Sequence, residues 1–271
     1  MLCVGAIQFD VSDDFVNNLH RAAGLIDQAV ASGARLIALP ECWAGKYGVS
    51  NFEKWAEDIE QCAEAPAGTS PVSSSALMAQ KAREHGVTVL GGIIERSGDT
   101  GEKLFNTLVV YGPDGRLLTT YRKVHLSRVL GITSESDILS PGDRPVIFQM
   151  SRERVKGESK EVPEIKVGLC ICFDLRFPEL LSQYGPCPTR WTGEDSACTI
   201  IIASSAFLDT TGVDHWDLLL RRTALDTQCF VIAPNIAFSE LDRVPLHGRS
   251  AVVDPWGLTR TGFGTRLFLC L

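Results

Sequence analysis

Leu2-Cys3-Val4-Gly5-Ala6-Ile7-Gln8-Phe9, then Leu19, Ala22, Ala23, Ile26, Ala29 and Val30, then Ala34-Arg35-Leu36-Ile37-Ala38-Leu39-Pro40-Glu41: this opening stretch decides the fold class. The first run is apolar and short, the pattern of a buried strand. The second set follows the 3, 4, 7 spacing of an amphipathic helix, and Gly33 closes it. Ala34–Leu39 is a second strand that stops at Pro40-Glu41.

The same alternation continues outward. Ser70-Pro71 starts a helix that runs to Gly86, and Val87–Ile94 reads as a third strand. Strand–helix–strand–helix–strand implies right-handed crossovers and parallel pairing. Leu104–Tyr111 and Arg116–Lys123 flank Pro113-Asp114-Gly115, a hairpin signal. Lys166–Asp174 and Thr199–Ser205 are apolar strands, with a short helix after Pro178. Asp214–Cys229 reads as helix and Phe230–Asn235 as strand; Gly248–Asp254 pairs with the run from Leu258 across Pro255-Trp256-Gly257. Ser151–Glu164 and Gly185–Ser196 lack hydrophobic periodicity and read as surface insertions. No linker divides residues 1–271, so the expectation is one α/β domain.

Composition narrows the function. The net charge of −7 disfavours a nucleic-acid partner and an anionic membrane surface, both of which need clustered positive charge. No run approaches the roughly 18 apolar residues that span a bilayer. The chain opens directly on a strand-like run without a charged leader. The cysteines are odd in number at nine and show no CxxC spacing, so no disulfide framework, zinc site or redox motif is suggested. The five histidines are dispersed, and no metal or other cofactor is called for. A reducing cytoplasmic compartment fits, with a mitochondrial one left open.

In α/β folds, polar groups at the carboxyl ends of strands face the crevice where ligands bind. Glu41 closes Leu36–Glu41, Lys123 closes Leu117–Lys123, and Cys172 lies near the end of Val167–Asp174. Taken singly each has a bland reading: a glutamate in a turn, an exposed lysine, a cysteine in the core. Cys170 competes with Cys172, because residues two apart on a strand share one face.

Leu39-Pro40-Glu41, Tyr121-Arg122-Lys123-Val124-His125-Leu126 and Cys172-Phe173-Asp174-Leu175-Arg176-Phe177-Pro178-Glu179 together resemble the three catalytic signatures of the nitrilase superfamily of carbon–nitrogen hydrolases. Phe105-Asn106, Glu135 before Ser140-Pro141-Gly142-Asp143, His215-Trp216 and Val253-Asp254-Pro255-Trp256-Gly257 extend the likeness from Ala6 to about Gly264. The resemblance implies a four-layer αββα sandwich with mixed sheets and a single carbon–nitrogen hydrolase domain. It implies Cys172 as nucleophile, since only that cysteine precedes an aromatic-Asp pair, and leaves Cys170 to the core. It implies Glu41 as base and Lys123, with the Phe173 N–H, as oxyanion donors. Glu135 is then a second glutamate that orients Lys123 or the substrate. A Cys–His pair using His125 or His215 as base is the alternative arrangement.

Within the superfamily the likeness is to the omega-amidase branch. Pro40-Glu41-Cys42-Trp43 with Tyr47-Gly48, and Ala206-Phe207-Leu208-Asp209-Thr210-Thr211-Gly212, resemble its site loops. That branch hydrolyses the terminal amide of 2-oxoglutaramate and 2-oxosuccinamate, so the implied partner is a small-molecule amide. The implied binding residues are Arg176 for the substrate carboxylate, with Tyr47, Phe207 and Thr211. The alternative for Arg176 is a salt bridge with Asp174 or Glu179. Gln228-Cys229-Phe230 is closer to a deaminated-glutathione amidase branch, and a catalytically silent binding protein is a further alternative. The family continues past the strand in which Leu271 falls with a tail that packs at a dimer interface. A homodimer is therefore expected where that tail is present.

Overall fold

The computed structural model describes residues 2–59, 73–97, 102–128, 134–150, 164–186, 197–237, 245–262 and 266–270, by backbone alone from 261 on. Most of each expected insertion, 151–163 and 187–196, lies outside these residues, as do Ser70 and Pro71.

β1 (Cys3–Ile7), α1 (Phe15–Ala31) and β2 (Leu36–Ala38) form the first crossover, and β1 and β2 pair in parallel with Gly5 opposite Ile37. Asp14 starts α1 by accepting the Asn17 N–H at 3.0 Å, which satisfies one of the unpaired donors of the first turn. Next come β3 (Ala56–Glu57), α2 (Ser74–His85) and β4 (Thr88–Ser97), with β4 parallel to β2. The hydroxyl of Ser73 caps α2, and Glu57 accepts the N–H groups of Ser74 and Ser75 at 2.8 and 3.1 Å. Gly86 ends the helix at φ +65°, where a residue without Cβ is unstrained. β5 (Lys103–Tyr111) and β6 (Leu117–Arg122) form the expected hairpin, turned at Gly115 with φ +78°.

The second half contains β7 (Val146–Met150), β8 (Ile165–Ile171), the short α3 (Pro178–Leu181), β9 (Ile200–Ser204), α4 (Asp209–Thr227) and β10 (Phe230–Ala233). It closes with β11 (Ala251–Val253), β12 (Thr259–Gly262) and β13 (Arg266–Cys270). β8, β9 and β10 run parallel, and β7, β11 and β12 add antiparallel edges. Among the described residues one sheet has the order β13-β1-β2-β4-β5-β6, with β3 beside β4; the other has the order β12-β11-β10-β9-β8-β7. β13 leaves the second half and pairs with β1, so the end of the described chain closes the first sheet.

Period-two alternation stacks the layers. Leu36, Ala38, Leu90, Leu108 and Val110 face the second sheet, whereas Ile37, Leu39, Val89, Val109 and Tyr111 face α1 and α2. On the outer side of the second sheet, Trp216, Leu219, Leu220 and Ala224 of α4 join the core. The result is the expected αββα sandwich. Each fully buried leucine or isoleucine contributes about 1.5–3 kcal/mol of transfer free energy, and the central β9, Ile200-Ile201-Ile202-Ala203, is buried on both faces.

Two expectations are corrected. β8 ends at Ile171, so Cys172 and Asp174 belong to a 3₁₀ turn, Cys172–Arg176, and not to the strand. Buried Asp174 accepts the Ile171 N–H at 3.0 Å and bends the chain there. α4 starts at Asp209, five residues before Asp214, although Thr210, Thr211 and Gly212 disfavour helix. Packing overrides that preference: a Cβ on Gly212 would overlap the His247 ring, so this turn fits only with glycine there. β7 is an addition to the strands expected from the sequence, and it pairs with β8.

Candidate active site

Glu41 leaves the carboxyl end of β2 at a point where the first sheet faces the second. Leu39 donates to Leu90 and Gly92 to Pro40, at 2.9 and 3.1 Å, and these bonds hold the segment against β4. Gly92 allows that approach, since a Cβ would come within 2.7 Å of the Glu41 Cα. Lys123 follows β6 and remains tied to β5 by donating its N–H to the Asn106 carbonyl at 2.8 Å. Tyr121 and Lys123 are two apart, so the lysine side chain follows Tyr121 into the space between the sheets, where it is 1 % exposed. Glu135 opens a 3₁₀ turn, Glu135–Asp137, and its carboxylate accepts the Ser127 N–H at 2.6 Å.

These three side chains meet. The Lys123 ammonium donates to Glu41 Oε1 at 2.8 Å and to Glu135 Oε1 at 3.0 Å. The Asn106 amide donates to the same two oxygens at 2.7 and 3.3 Å. The Ala206 N–H donates to Glu41 Oε2 at 2.8 Å, and the Tyr47 hydroxyl to Glu135 Oε1 at 2.9 Å. Burial pushes the Glu41 carboxyl up, and the Glu135 charge outweighs enough of the Lys123 attraction to leave it raised. Burial also opposes ionisation of Glu135, but Lys123, the Ser127 N–H and Tyr47 bring it below the usual range. The Lys123 ammonium is disfavoured by burial, yet Glu135 and Glu41 together hold it charged, well above the ordinary lysine range.

Cys172 enters from the second sheet at the start of the 3₁₀ turn, with φ +43° and 9 % of its surface exposed. Non-glycine residues in this conformation are rare and cluster at functional sites. Asp174 braces the turn. Besides the Ile171 N–H it accepts from Tyr121 Oη at 2.7 Å and from the His125 backbone and ring nitrogens, both at 2.9 Å. Burial, then the Glu41 charge, pushes the Cys172 thiol well up; Lys123 and the Ala206 N–H pull the other way. A thiol so held keeps its proton until the sulfur reacts, so a base must remove it during attack. Glu41, whose carboxyl burial raises above the ordinary glutamate range, is suited to that transfer.

The remaining expected residues fall into two groups. Tyr47 reaches Glu135 as described, and its ring packs edge-on to Phe52 with centroids 5.4 Å apart. Phe173 occupies the second position of the 3₁₀ turn, where backbone N–H groups have no partner within the turn. Arg176 is half-buried and pairs with neither Asp174 nor Glu179; among the described residues no carboxylate lies within salt-bridge distance of it. Its guanidinium packs beside the Phe173 and Phe207 rings, 5.7 and 5.3 Å from their centroids, and donates to His215 Nδ1 at 3.2 Å. An arginine only donates, so in this contact the acceptor is His215 Nδ1. Burial lowers the Arg176 pKa, and Arg176 and Cys172 are the two ends of the same 3₁₀ turn. Phe207 packs on Trp216 at 5.1 Å. Thr211, expected in a loop, lies in the first turn of α4, one turn before His215 on the same face. His125, stacked on Phe177 at 3.6 Å and bonded to Asp174, and His215, bonded to Arg176, are both engaged away from a base role.

Asn106 has a signal in the sequence but no role legible there. The signal is a polar side chain at an inward position of the alternation Leu104, Asn106, Leu108, Val110. The Asn106 Oδ1 is buried with no partner, which costs about 1–3 kcal/mol. The Ala206 N–H has no signal, being backbone.

Among the described residues no helix is long and apolar enough to cross a membrane, and no group of three or more His, Cys, Asp or Glu forms a metal-binding cluster. The carbon–nitrogen hydrolase family matches residues 3–263. Omega-amidase NIT2-A of Xenopus laevis is 38% identical over 255 residues, covering 93% of this chain and 80% of that protein. Human omega-amidase NIT2 is 35% identical over 262 residues, 96% of this chain and 83% of that one. Among solved structures, Saccharomyces cerevisiae Nit3, a member of branch 10 of the nitrilase superfamily, superposes with a TM-score of 0.76. It is 28% identical, covering 99% of this chain and 89% of that chain. With a buried carboxylate, ammonium and thiol at facing strand ends of an αββα sandwich, the chain belongs to the carbon–nitrogen hydrolase family, within the nitrilase superfamily, and is an enzyme that hydrolyses carbon–nitrogen bonds.

Proposed function

We propose that the enzyme hydrolyses the terminal amide of a small carboxylate-bearing substrate, of the 2-oxoglutaramate or 2-oxosuccinamate type, to the acid and ammonia. The observation that carries this reading is Arg176, a half-buried cation beside the nucleophile whose described partners are two aromatic rings and a histidine ring nitrogen. A guanidinium in that setting meets a carboxylate with two parallel hydrogen bonds. The relatives lend support, since their names describe omega-amidases.

In this reading the reaction runs through a thioester. As the Cys172 sulfur bonds to the amide carbon, its proton passes to Glu41. The carbonyl oxygen becomes an oxyanion against the Lys123 ammonium and the Phe173 N–H; such a donor is typically worth about 3–4 kcal/mol. Glu41 then delivers the proton to nitrogen, the C–N bond breaks and ammonia leaves. Water attacks the thioester while Glu41 takes its proton, the C–S bond breaks, and the sulfur recovers a proton from Glu41. Glu135 keeps Lys123 charged throughout.

Gln228-Cys229-Phe230, the feature shared with the deaminated-glutathione branch, follows the carboxyl end of α4. His215 and the Phe207 loop stand at the other end, roughly 20–30 Å away at 1.5 Å per residue. Those three residues therefore bear on packing, not on the pocket. The test is an ammonia-release screen over 2-oxoglutaramate, deaminated glutathione, glutamine and a simple nitrile. Highest kcat/KM on 2-oxoglutaramate is expected. Tenfold preference for deaminated glutathione would replace the substrate, and silence on all amides would leave a binding protein.

For assembly we infer a homodimer. Leu218 and Leu225 on the outer face of α4, with Trp256 and Leu258 in the adjoining turn, are large exposed apolar side chains of the kind a second copy covers. Light scattering on the purified protein tests this.

A further inference from the structure

We infer that Asn106 is a further positioning residue of this reaction, which selects Glu41 Oε2 as the oxygen that takes and returns the cysteine proton. The inference rests on the reading of Glu41 as the base.

Asn106 is fully buried on the inward face of β5 between apolar neighbours, where an amide is unfavourable unless its polar atoms are used. Both acceptors facing it are carboxylate oxygens, so its NH₂ must point at them, and Oδ1 is turned away without a partner. An apolar residue of the same shape would avoid that orphan. What the position gains from asparagine is the pair of donors alone.

Those donors complete a ring. Glu41 Oε1 and Glu135 Oε1 each receive one N–H from the Lys123 ammonium and one from the Asn106 amide. Two ammonium protons are thereby committed, and the third remains for the developing oxyanion. Glu41 Oε1 has both lone pairs occupied. Among the described residues Oε2 holds a single bond, from the Ala206 N–H, and keeps one lone pair. Of the two Glu41 oxygens, Oε2 is therefore the one with room for a further proton. The proton therefore moves from Sγ to Oε2 as the S–C bond forms, and from Oε2 to nitrogen as the C–N bond breaks.

Without Asn106, Oε1 regains a free lone pair, the carboxylate loses a fixed orientation, and the repulsion from Glu135 is less relieved. Lys123, Glu135, Asn106 and the Ala206 N–H face Glu41, and Cys172 and Cys42 carry its influence on the thiol side. Among them Asn106 is the neutral side-chain donor. Its removal favours the protonated glutamic acid, which cannot act as base.

The experiment compares wild type with Asn106→Leu and Asn106→Ser. Ammonia release from 2-oxoglutaramate is followed across pH 5–9, with Cys172 alkylation by iodoacetamide read by peptide mass as a substrate-independent measure. Asn106→Leu should lower kcat roughly ten- to hundredfold near neutrality, the scale of a lost hydrogen bond to a charged group, with KM changed little. Its acid limb should move up by about one pH unit in both turnover and alkylation, equivalent to roughly a tenfold change in proton affinity. Asn106→Ser, smaller and with one donor, should shift less and decides the question if the leucine variant does not fold. A folded variant with the wild-type acid limb, whether or not its plateau falls, would overturn the inference and leave Asn106 a packing residue. If wild type releases no ammonia from 2-oxoglutaramate, that substrate reading fails, while the alkylation profiles still judge Asn106.

Discussion

The two faces of the site are built on opposite principles. On the first sheet, Glu41, Lys123, Glu135 and Asn106 are all buried and hydrogen-bonded to one another, and their charges are fixed before any ligand arrives. On the second sheet, Arg176 is half-buried, touches two aromatic rings and a histidine ring, and has no described carboxylate. The first face resembles a completed network, the second a half-made ion pair. Catalytic groups gain from a fixed orientation, because no reorganisation is then needed in the transition state. A recognition group gains from a missing partner, because the ligand supplies it.

If that division holds, damage to the first region should appear in kcat and damage to the second in discrimination. The largest effect is expected at the nucleophile. Cys172→Ala should lower turnover by about 10⁴-fold or more, as loss of a covalent nucleophile does. Cys170→Ala removes a buried core thiol outside the 3₁₀ turn and should leave most activity, with a small drop in melting temperature. Equal losses in two folded variants would break the assignment.

Next in size are the partners of the thiol. Glu41→Gln should slow thioester formation and its hydrolysis, each by about 10²–10⁴-fold, the usual contribution of a positioned base. Lys123→Ala should lower kcat by about 10²–10³-fold if the ammonium receives the oxyanion. A change confined to KM would move Lys123 to the recognition side of the comparison.

Arg176→Ala tests the other face. Its kcat/KM on 2-oxoglutaramate should fall about 10- to 150-fold, corresponding to about 1.5–3 kcal/mol for a charge-assisted hydrogen bond. A neutral amide of equal length should be cleaved nearly as well as by the wild type. Arg176→Lys should recover only part of the loss, since an ammonium does not present the planar fork. Unchanged selectivity in Arg176→Ala would place the carboxylate elsewhere.

The smallest effect is one of position on the pH axis. Glu41 must be ionised to act, and burial raises its pKa, so its proton is held to higher pH than that of an exposed glutamate. Activity should therefore fall as pH drops through a value above the ordinary carboxylate range, seen as the acid limb of kcat/KM. A limb at the ordinary glutamate value would mean that Lys123 offsets burial more fully than the geometry implies.

What is legible in the chain divides along the same physical line. Leu2–Glu41 suffices for the first crossover, because burial between helices and a second sheet demands an apolar run, a 3.6-residue period and an abrupt polar stop. Asn106 is legible as a polar residue in an inward register, yet its role is not, since the four residues in its ring come from positions 41 to 135. The start of α4 is hidden because Gly212 argues locally against helix, and contact with His247 overrides it.

The sequence by itself determined the kinds of layer, the order of the strands within each crossover, and which strand ends carry a carboxylate, an ammonium and a thiol. These follow from periodicity and residue type, which act over a few neighbours. Only the tertiary structure decided that Cys172 leaves the strand while Cys170 stays in it, because the bend is made by Asp174 together with Tyr121 and His125 from the other sheet. It alone decided that Arg176 is not a partner of Asp174, whose oxygens are already filled, and that the Lys123 and Asn106 donors fall on one oxygen of Glu41 and not on the other. Hydrogen-bond capacity is finite, and where each lone pair is spent depends on groups far apart in the chain that folding brings within about 3 Å of each other.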